Sequence, residues 1–236
     1  MAKGRIRFLG HAFVEFTTGQ GQVILFDPWT KTDGNPACPL ELDQIQRADL
    51  ILISHDHFDH VGSTVGLAKQ TGALVGGPVQ TVRRLTGEGL DPDQVVNFGS
   101  GYMVGGGVEL DWVKVTAVPA FHSSDTACAL GAIVKVSDGT TVYHAGDTGL
   151  YGDMELFGRL YPLDLALLPI GGVFTMDAFQ ASEAARLLQP KQVIPIHYAS
   201  FPIIAKSADE FVSLCRQKAP GVEVRTLAAG ESLSLG

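Results

Sequence analysis

The chain has 236 residues, 45% hydrophobic and 18% charged, a size and balance suited to one compact domain, 1–236, with a sizeable core. Its net charge of −8, with Lys and Arg dispersed, argues against a polyanion-binding surface and so against nucleic acid as a partner. Three scattered cysteines without a CxxC, no signal-peptide core in "MAKGRIRFLGH" and no run of about 18 apolar residues point to a cytoplasmic protein without a membrane span.

Three short strand-like runs open the chain, "RIRFLG" (5–10), "AFVEFTT" (12–18) and "QVILFD" (22–27), separated by turns as in an antiparallel meander. "ADLILIS" (48–54) is a continuous apolar run, the pattern of a strand buried on both faces. A helix is expected over 60–71, ended by Gly72, and then "ALVGG" (73–77) and a helix from Pro78 repeat the alternation. Strands return with "KVTAVPAFH" (114–122) and with "ALGAIVKVSDGTTVYHAGD", where Asp138-Gly139 signals a hairpin. "DLALLPI" (164–170), a helix near 177–188, "QVIPIH" (192–197) and a helix near 207–218 follow, and "VEVRTL" and "ESLSL" close the chain. Strands followed by βα units, twice over, imply an α/β fold: a four-layer αββα sandwich of two mixed sheets flanked by helices.

Polar residues collect where these apolar strands end. "SHDHFDH" (54–60) follows the buried run 48–54; Asp27, His122, Asp147 and His197 follow four other strands. In α/β sheets the crevice beyond the carboxyl ends of strands is where ligands bind, so side chains from five strands have a common meeting place. A solvated polar turn would account for 54–60 alone, but not for five strand ends carrying the same chemistry. His55, His57, His60, His122 and His197 with Asp59 and Asp147 form a nitrogen–oxygen donor set. It suits Zn²⁺ first, with Mn²⁺, Ni²⁺ or Fe as alternatives, and the lack of thiolate argues against a structural zinc knot. Seven ligands exceed the needs of one tetrahedral ion. Two divalent ions about 3.5–4 Å apart, bridged by a carboxylate and a water that ionises near neutral pH, use them economically.

The same residues carry a resemblance. "HDHFDH" fits the His-x-His-x-Asp-His signature of the metallo-β-lactamase superfamily, and "LFDP", "AFH", "AGDT" and "PIHY" fall in the order of its other motifs. With "FLGHA", "YHAGDTGLY" and "PIGGVFTMD", nearly the whole chain resembles a group of small prokaryotic metal-dependent hydrolases near the ascorbate-phosphate lactonase branch. The resemblance implies that His55, His57 and His122 hold one ion, that Asp59, His60 and His197 hold the second, and that Asp147 bridges them. It implies Asp59 as general base, and Asp27 as the residue that orients a ligand histidine through a hydrogen bond.

The remaining candidates are weaker. His144, three residues before Asp147, is read as a core histidine or one supporting a ligand, because the ligand list is already full. For His11 in "LGHA" a structural hydrogen bond and a substrate contact stand as alternatives. Thr175 and Met176, in the loop after strand 164–170, are candidate pocket residues against the alternative of simple turn residues. Loops 30–45, 99–107, 123–128 and 171–177 are expected to shape the pocket.

No GxSxG elbow, P-loop or GxGxxG is present, and Ser123-Ser124 has no ordered base, which argues against serine and nucleotide chemistries. The expected function is hydrolysis of an ester, lactone or phosphoester bond of a small molecule by a metal-bridging hydroxide; a homo-oligomer is left open. A phosphodiesterase or nuclease is the first alternative, although the chain leaves little room for substrate-gripping insertions. A di-iron redox protein is the second, disfavoured because His57 stands where that branch places Glu.

Overall fold

Apolar runs without polar alternation require cover on both faces, and two packed sheets with outer helices provide it. The computed structural model describes residues 3–235. The first sheet has six strands in the order β13 (Ser232–Ser234), β1 (Arg5–Phe8), β2 (Val14–Thr17), β3 (Val23–Phe26), β4 (Leu50–Leu52), β5 (Leu74–Gly76). The second has seven: β12 (Glu223–Val224), β11 (Gln192–Ile196), β10 (Leu165–Pro169), β9 (Thr141–His144), β8 (Leu130–Val136), β7 (Val113–Pro119), β6 (Gly107–Leu110). Each sheet is antiparallel at one side, β13-β1-β2-β3 and β6-β7-β8-β9, and parallel at the other, β3-β4-β5 and β9-β10-β11-β12.

Alternate residues of each strand feed different cores. Ile24 and Phe26 of β3 meet Leu165 and Leu167 of β10 in the core between the sheets. Val23 and Leu25 face the other way, in a cluster with Leu67 of α2 (Thr64–Thr71) and Val82 and Leu85 of α3 (Val79–Gly87). Ala166 and Leu168 likewise face a third cluster with Met154 of α5 (Asp153–Leu160), Ala181 of α6 (Ala178–Leu188) and Phe211 of α7 (Asp209–Lys218). Three cores separate four layers, and the fold is the αββα sandwich that the pattern implied. Each fully buried Leu, Ile or Phe contributes about 1.5–3 kcal/mol. Among the described residues no helix is long and apolar enough to cross a membrane.

Three local expectations are corrected. The helix expected over 60–71 is two pieces, α1 (Phe58–Val61) and α2, parted at Gly62 with φ 30°. A Cβ there would lie 2.7 Å from Trp29 Cα, so the break comes from a close approach to the 28–29 backbone. "VEVRTL" and "ESLSL" contribute β12 and β13, which join different sheets. The stretch from Gly107, read as the end of a loop, begins edge strand β6; a single turn at Val96–Gly99 (α4) precedes it, with Asn97 and Phe98 left-handed.

Strand direction places the site. β1, β3 and β4 run the same way, since β1 and β3 are both antiparallel to β2 and β4 is parallel to β3. By the same logic β7, β9 and β11 share a direction. Three of the candidate site residues, just past strand ends, are left-handed: His11 (φ 58°), Asp27 (φ 43°) and His197 (φ 56°). Such backbone costs about 1–3 kcal/mol per residue and persists only where the surroundings hold it. Here they do: Asp27 N donates to Leu52 O at 3.0 Å, and His197 N donates to His11 O at 2.8 Å, joining the two sheets at the site.

Candidate metal centre

The ligand atoms of His55, His57 and His122 all lie within 4.8 Å of one another; so do those of His55, His60 and Asp147, and those of His11, Asp59, His60 and His197. Asp147 Oδ2 ties the groups together, at 3.3 Å from His60 Nε2, 3.1 Å from His197 Nε2 and 3.6 Å from His122 Nε2. The turn that delivers Asp147 depends on Gly146 (φ 60°), where a Cβ would come 2.8 Å from both Leu130 O and Ser54 Cβ.

Asp27, fully buried, sets the histidine tautomers. Its Oδ1 accepts from Ser54 N and its Oδ2 from Ser54 Oγ, both at 2.7 Å. Oδ2 also accepts from His60 Nδ1 at 2.8 Å, so one proton of His60 sits on Nδ1 and Nε2 faces Asp147, where a proton or a cation would satisfy it. With its single proton given to Asp27, Ser54 Oγ accepts from His55 Nδ1 at 2.9 Å, which turns the lone pair of His55 Nε2 toward His57 Nδ1, 2.9 Å away. Two ring nitrogens at that separation need a proton or a cation between them.

The charges ask for a cation as well. Burial would raise the Asp147 carboxyl, but His60 and His197 beside it hold it well below the ordinary carboxylate range. Asp27 is lowered in the same way, against burial, by His60. Burial would lower His60, yet Asp147 and Asp27 on either side hold it well above an ordinary imidazole. Burial pushes His55 and His122 down, keeping them neutral with free lone pairs. His60 Nε2 and Asp147 Oδ1 are buried with no hydrogen-bond partner. Ionised carboxylates, the neutral imidazoles of His55 and His122 and unpaired buried polar atoms fit divalent ions, and none of the three cysteines joins these groups.

The other sequence candidates fall as follows. Asp59 borders the cavity, and its Oδ2 accepts from His11 Nε2 at 3.0 Å. His144 is buried, stacks on Phe26 with ring centroids 5.0 Å apart, and comes no nearer to Asp27 than 3.8 Å. His11 is fully buried, does not border the cavity, and lies within hydrogen-bond distance of Asp59 and Ser200. Neither Thr175 nor Met176 borders the cavity. Met176 is fully buried in the core under α6, and the cavity residue of this loop is Phe174.

The cavity has a volume of about 560 Å³ and lies over His57, Asp59, His122, Asp147 and His197. Its walls are Phe58, Ser123, Phe174, Phe201, Pro202 and Ile203. Loops 30–45 and 99–107 do not border it, and the segment 201–203, absent from the sequence reading, does. The signal was present as "SFPII", a largely apolar run two residues past the "HY" that follows β11. Two further residues of "SHDHFDH" have roles that sequence reasoning missed. Ser54 relays Asp27 to His55, as above. Asp56 grips the loop beyond His122: its carboxylate accepts from Asp125 N at 2.7 Å, Thr126 N at 2.9 Å and the hydroxyls of Ser124 and Thr126.

Comparison with known proteins agrees with this geometry. Residues 22–198 match the family described as the beta-lactamase superfamily domain. The chain belongs to the metallo-β-lactamase superfamily. Within the superfamily it is 45% identical over 231 residues to a UPF0173 metal-dependent hydrolase of Nitratidesulfovibrio vulgaris, covering 98% of this chain and 95% of that one. A UPF0173 metal-dependent hydrolase of Caldivirga maquilingensis is 41% identical, with 98% of both chains covered. Among solved structures, Igni18, a metallo hydrolase of Ignicoccus hospitalis, superposes with a TM-score of 0.87 at 35% identity, covering 98% of this chain and 97% of that one. The superfamily match spans every residue of the ligand groups except His11, which lies on the preceding strand end.

Proposed function

We propose that this chain is a binuclear metal-dependent hydrolase acting on an ester or lactone bond of a small molecule. His55, His57 and His122 would hold one ion, Asp59, His60 and His197 the other, with Asp147 common to both. The observation that carries this reading is the position of Asp147 Oδ2, within 3.6 Å of imidazoles from both groups. Zinc is the ion the imidazole–carboxylate set favours, with manganese, nickel or iron as alternatives. Such ions supply Lewis acidity and a water acidified to near neutrality.

The chain's own residues do the rest. Asp27 and Ser54 hold His60 and His55 with their Nε2 lone pairs turned inward. Burial would raise the Asp59 carboxyl, but the hydrogen bond from His11 and the charge of His60 keep it well below its ordinary value, so it stays ionised. With Oδ2 held by His11, its Oδ1 takes a proton from the attacking water and returns it to the leaving group. The aromatic walls exclude bulk water from the charged floor. Three unpaired thiols agree with a cytoplasmic setting.

The test is to strip the protein with a chelator, reconstitute it with Zn²⁺, Mn²⁺ or Ni²⁺, count ions by elemental analysis and assay lactones, esters and phosphodiesters in parallel. Two ions per chain and activity that returns with metal are expected. Full activity in metal-free protein, or with a single ion, refutes the reading.

A further inference from the structure

The cavity is sharply divided. Its charge lies on the floor, in Asp59 and Asp147 beside three histidines, and no Lys or Arg borders it. Above the floor stand Phe58, Phe174, Phe201, Pro202 and Ile203, with Ser123 the single neutral polar side chain among them. Phe58, Phe174 and Ile203 are 67%, 55% and 61% exposed, a concentration of large apolar side chains in water that isolated surface residues do not explain.

The wall is braced. The buried Trp29 stacks on Phe201 with ring centroids 5.7 Å apart and meets Phe58 edge-on at 5.6 Å. Trp29 is itself fixed by its indole N–H, which donates to Asp33 O at 2.8 Å. His11, already held by Asp59, packs edge-on against Phe201 at 5.3 Å. The Phe58 and Phe201 rings are therefore preformed, and Phe201 is tied through His11 to Asp59 of the floor. Phe58 stands between His57 and Asp59 in the chain, which sets it at the boundary between floor and wall.

We propose that the substrate carries an uncharged, apolar acyl or aryl group, which packs on the Phe58–Phe174–Phe201–Ile203 wall while its scissile carbonyl meets the floor. This rests on the hydrolytic reading above and names the substrate class for that site. A phosphate or carboxylate away from the floor would lose water with no cation to replace it, in a chain of net charge −8. An apolar chain gains about fourfold in affinity for each methylene buried.

The experiment uses straight-chain hydroxamic acids from acetyl to octanoyl, titrated by calorimetry into the metal-loaded and metal-free full chain. p-Nitrophenyl esters of the same acyl lengths are assayed alongside. The affinity should rise about fourfold per methylene until the cavity is filled. The Phe174→Ala and Ile203→Ala variants should flatten that slope, with melting curves as the check on folding. A chain of octanoyl length ending in a carboxylate should bind more weakly than octanohydroxamate. No dependence on chain length, no measurable octanohydroxamate binding, or tighter binding of the carboxylate-ended chain overturns the proposal. So does an affinity that falls as protein concentration rises, which would mark the wall as a contact between copies. A binding slope without ester cleavage would leave the apolar pocket standing and overturn the hydrolytic reading instead.

Discussion

His11 Nε2 donates a hydrogen bond of 3.0 Å to Asp59 Oδ2, while Ser200 Oγ stands 2.6 Å from the opposite ring nitrogen. Burial lowers the imidazole to about 4, so it is neutral, and a neutral ring that donates through Nε2 must accept through Nδ1. His11 is thus the middle of a Ser200–His11–Asp59 chain. Removing it as His11→Ala should weaken binding of the ion proposed at Asp59 by about 10- to 100-fold, the usual cost of losing a partner that orients a ligand. A metal titration checks this; an unchanged second-ion affinity would mean that Asp59 needs no support. His11→Asn, which tolerates the left-handed backbone but cannot span the same two partners, separates the hydrogen bonds from the strain.

Asp147 is shared by both proposed ion sites, and His57 belongs to one. Asp147→Ala should therefore lose both ions and His57→Ala mainly one, and hydrolysis should fall in each by more than about a hundredfold, beyond the effect of an outer partner. Folding should survive, since neither residue belongs to the three hydrophobic clusters. Elemental analysis paired with circular dichroism reads both outcomes. Retained activity in metal-verified Asp147→Ala would remove the bridging assignment.

Asp56 offers a test that touches no ligand directly. Burial would raise its carboxyl, but the hydrogen bonds from Ser124, Thr126 and the Asp125 amide bring it below the ordinary range. Asp56→Ala leaves those donors without their acceptor and should cost about 1–3 kcal/mol. Hydrogen exchange at the Asp125 and Thr126 amides should speed up, and activity should drop through the adjoining His122. Unaltered exchange at those two amides would show that the loop is held by other means.

Acid stability has a separate handle in Asp164, which lies just before β10 and ties together the starts of β9 and β11. Its Oδ1 accepts from Lys3 and Lys191, each at 2.8 Å, and its Oδ2 accepts from Thr141 N at 2.9 Å. Burial raises this carboxyl and the Lys191 and Lys3 ammonium groups lower it further, so its folded pKa lies below its unfolded one. A depressed folded pKa stabilises the protein at pH above the unfolded value of about 3.9 and loses that contribution as pH falls through the folded value. The gap in stability between wild type and Asp164→Asn should be constant from pH 7 to about 5 and close below about 4. Urea melts of metal-free protein at several pH values decide it; a gap that widens in acid reverses the assignment.

Much of the layout was legible because burial on both faces leaves a simple mark. "LILI" and "LALLP" carry no polar alternation, and both proved to be strands between a sheet and a helix layer. The ligand candidates were legible for the complementary reason, polar side chains placed where those runs stop. The wall was not. In "GGVFTMD" two apolar residues lie two apart; Phe174 faces the cavity and Met176 the core, a choice made by where Thr148 O receives Met176 N, 2.9 Å away across the fold. Phe58 stands open beside the site at the start of α1, which gave it no mark in the sequence to separate it from a packed residue. Ser54 and Asp56 looked merely polar because their partners, Asp27 and residues 124–126, are distant in the chain.

The left-handed backbone at His11, Asp27 and His197 has a consequence for anyone who diversifies this protein. In a saturation library sorted for folding alone, those three positions would already favour Gly, Asn, Asp and His, whatever chemistry is asked of them. His55, His57, His60 and His122 are absent from the left-handed set and face no such filter. Tolerance maps would therefore look equally strict at both groups when sorted for activity and diverge when sorted for expression. The difference between the two maps, position by position, would separate what the chain needs in order to turn from what it needs in order to react.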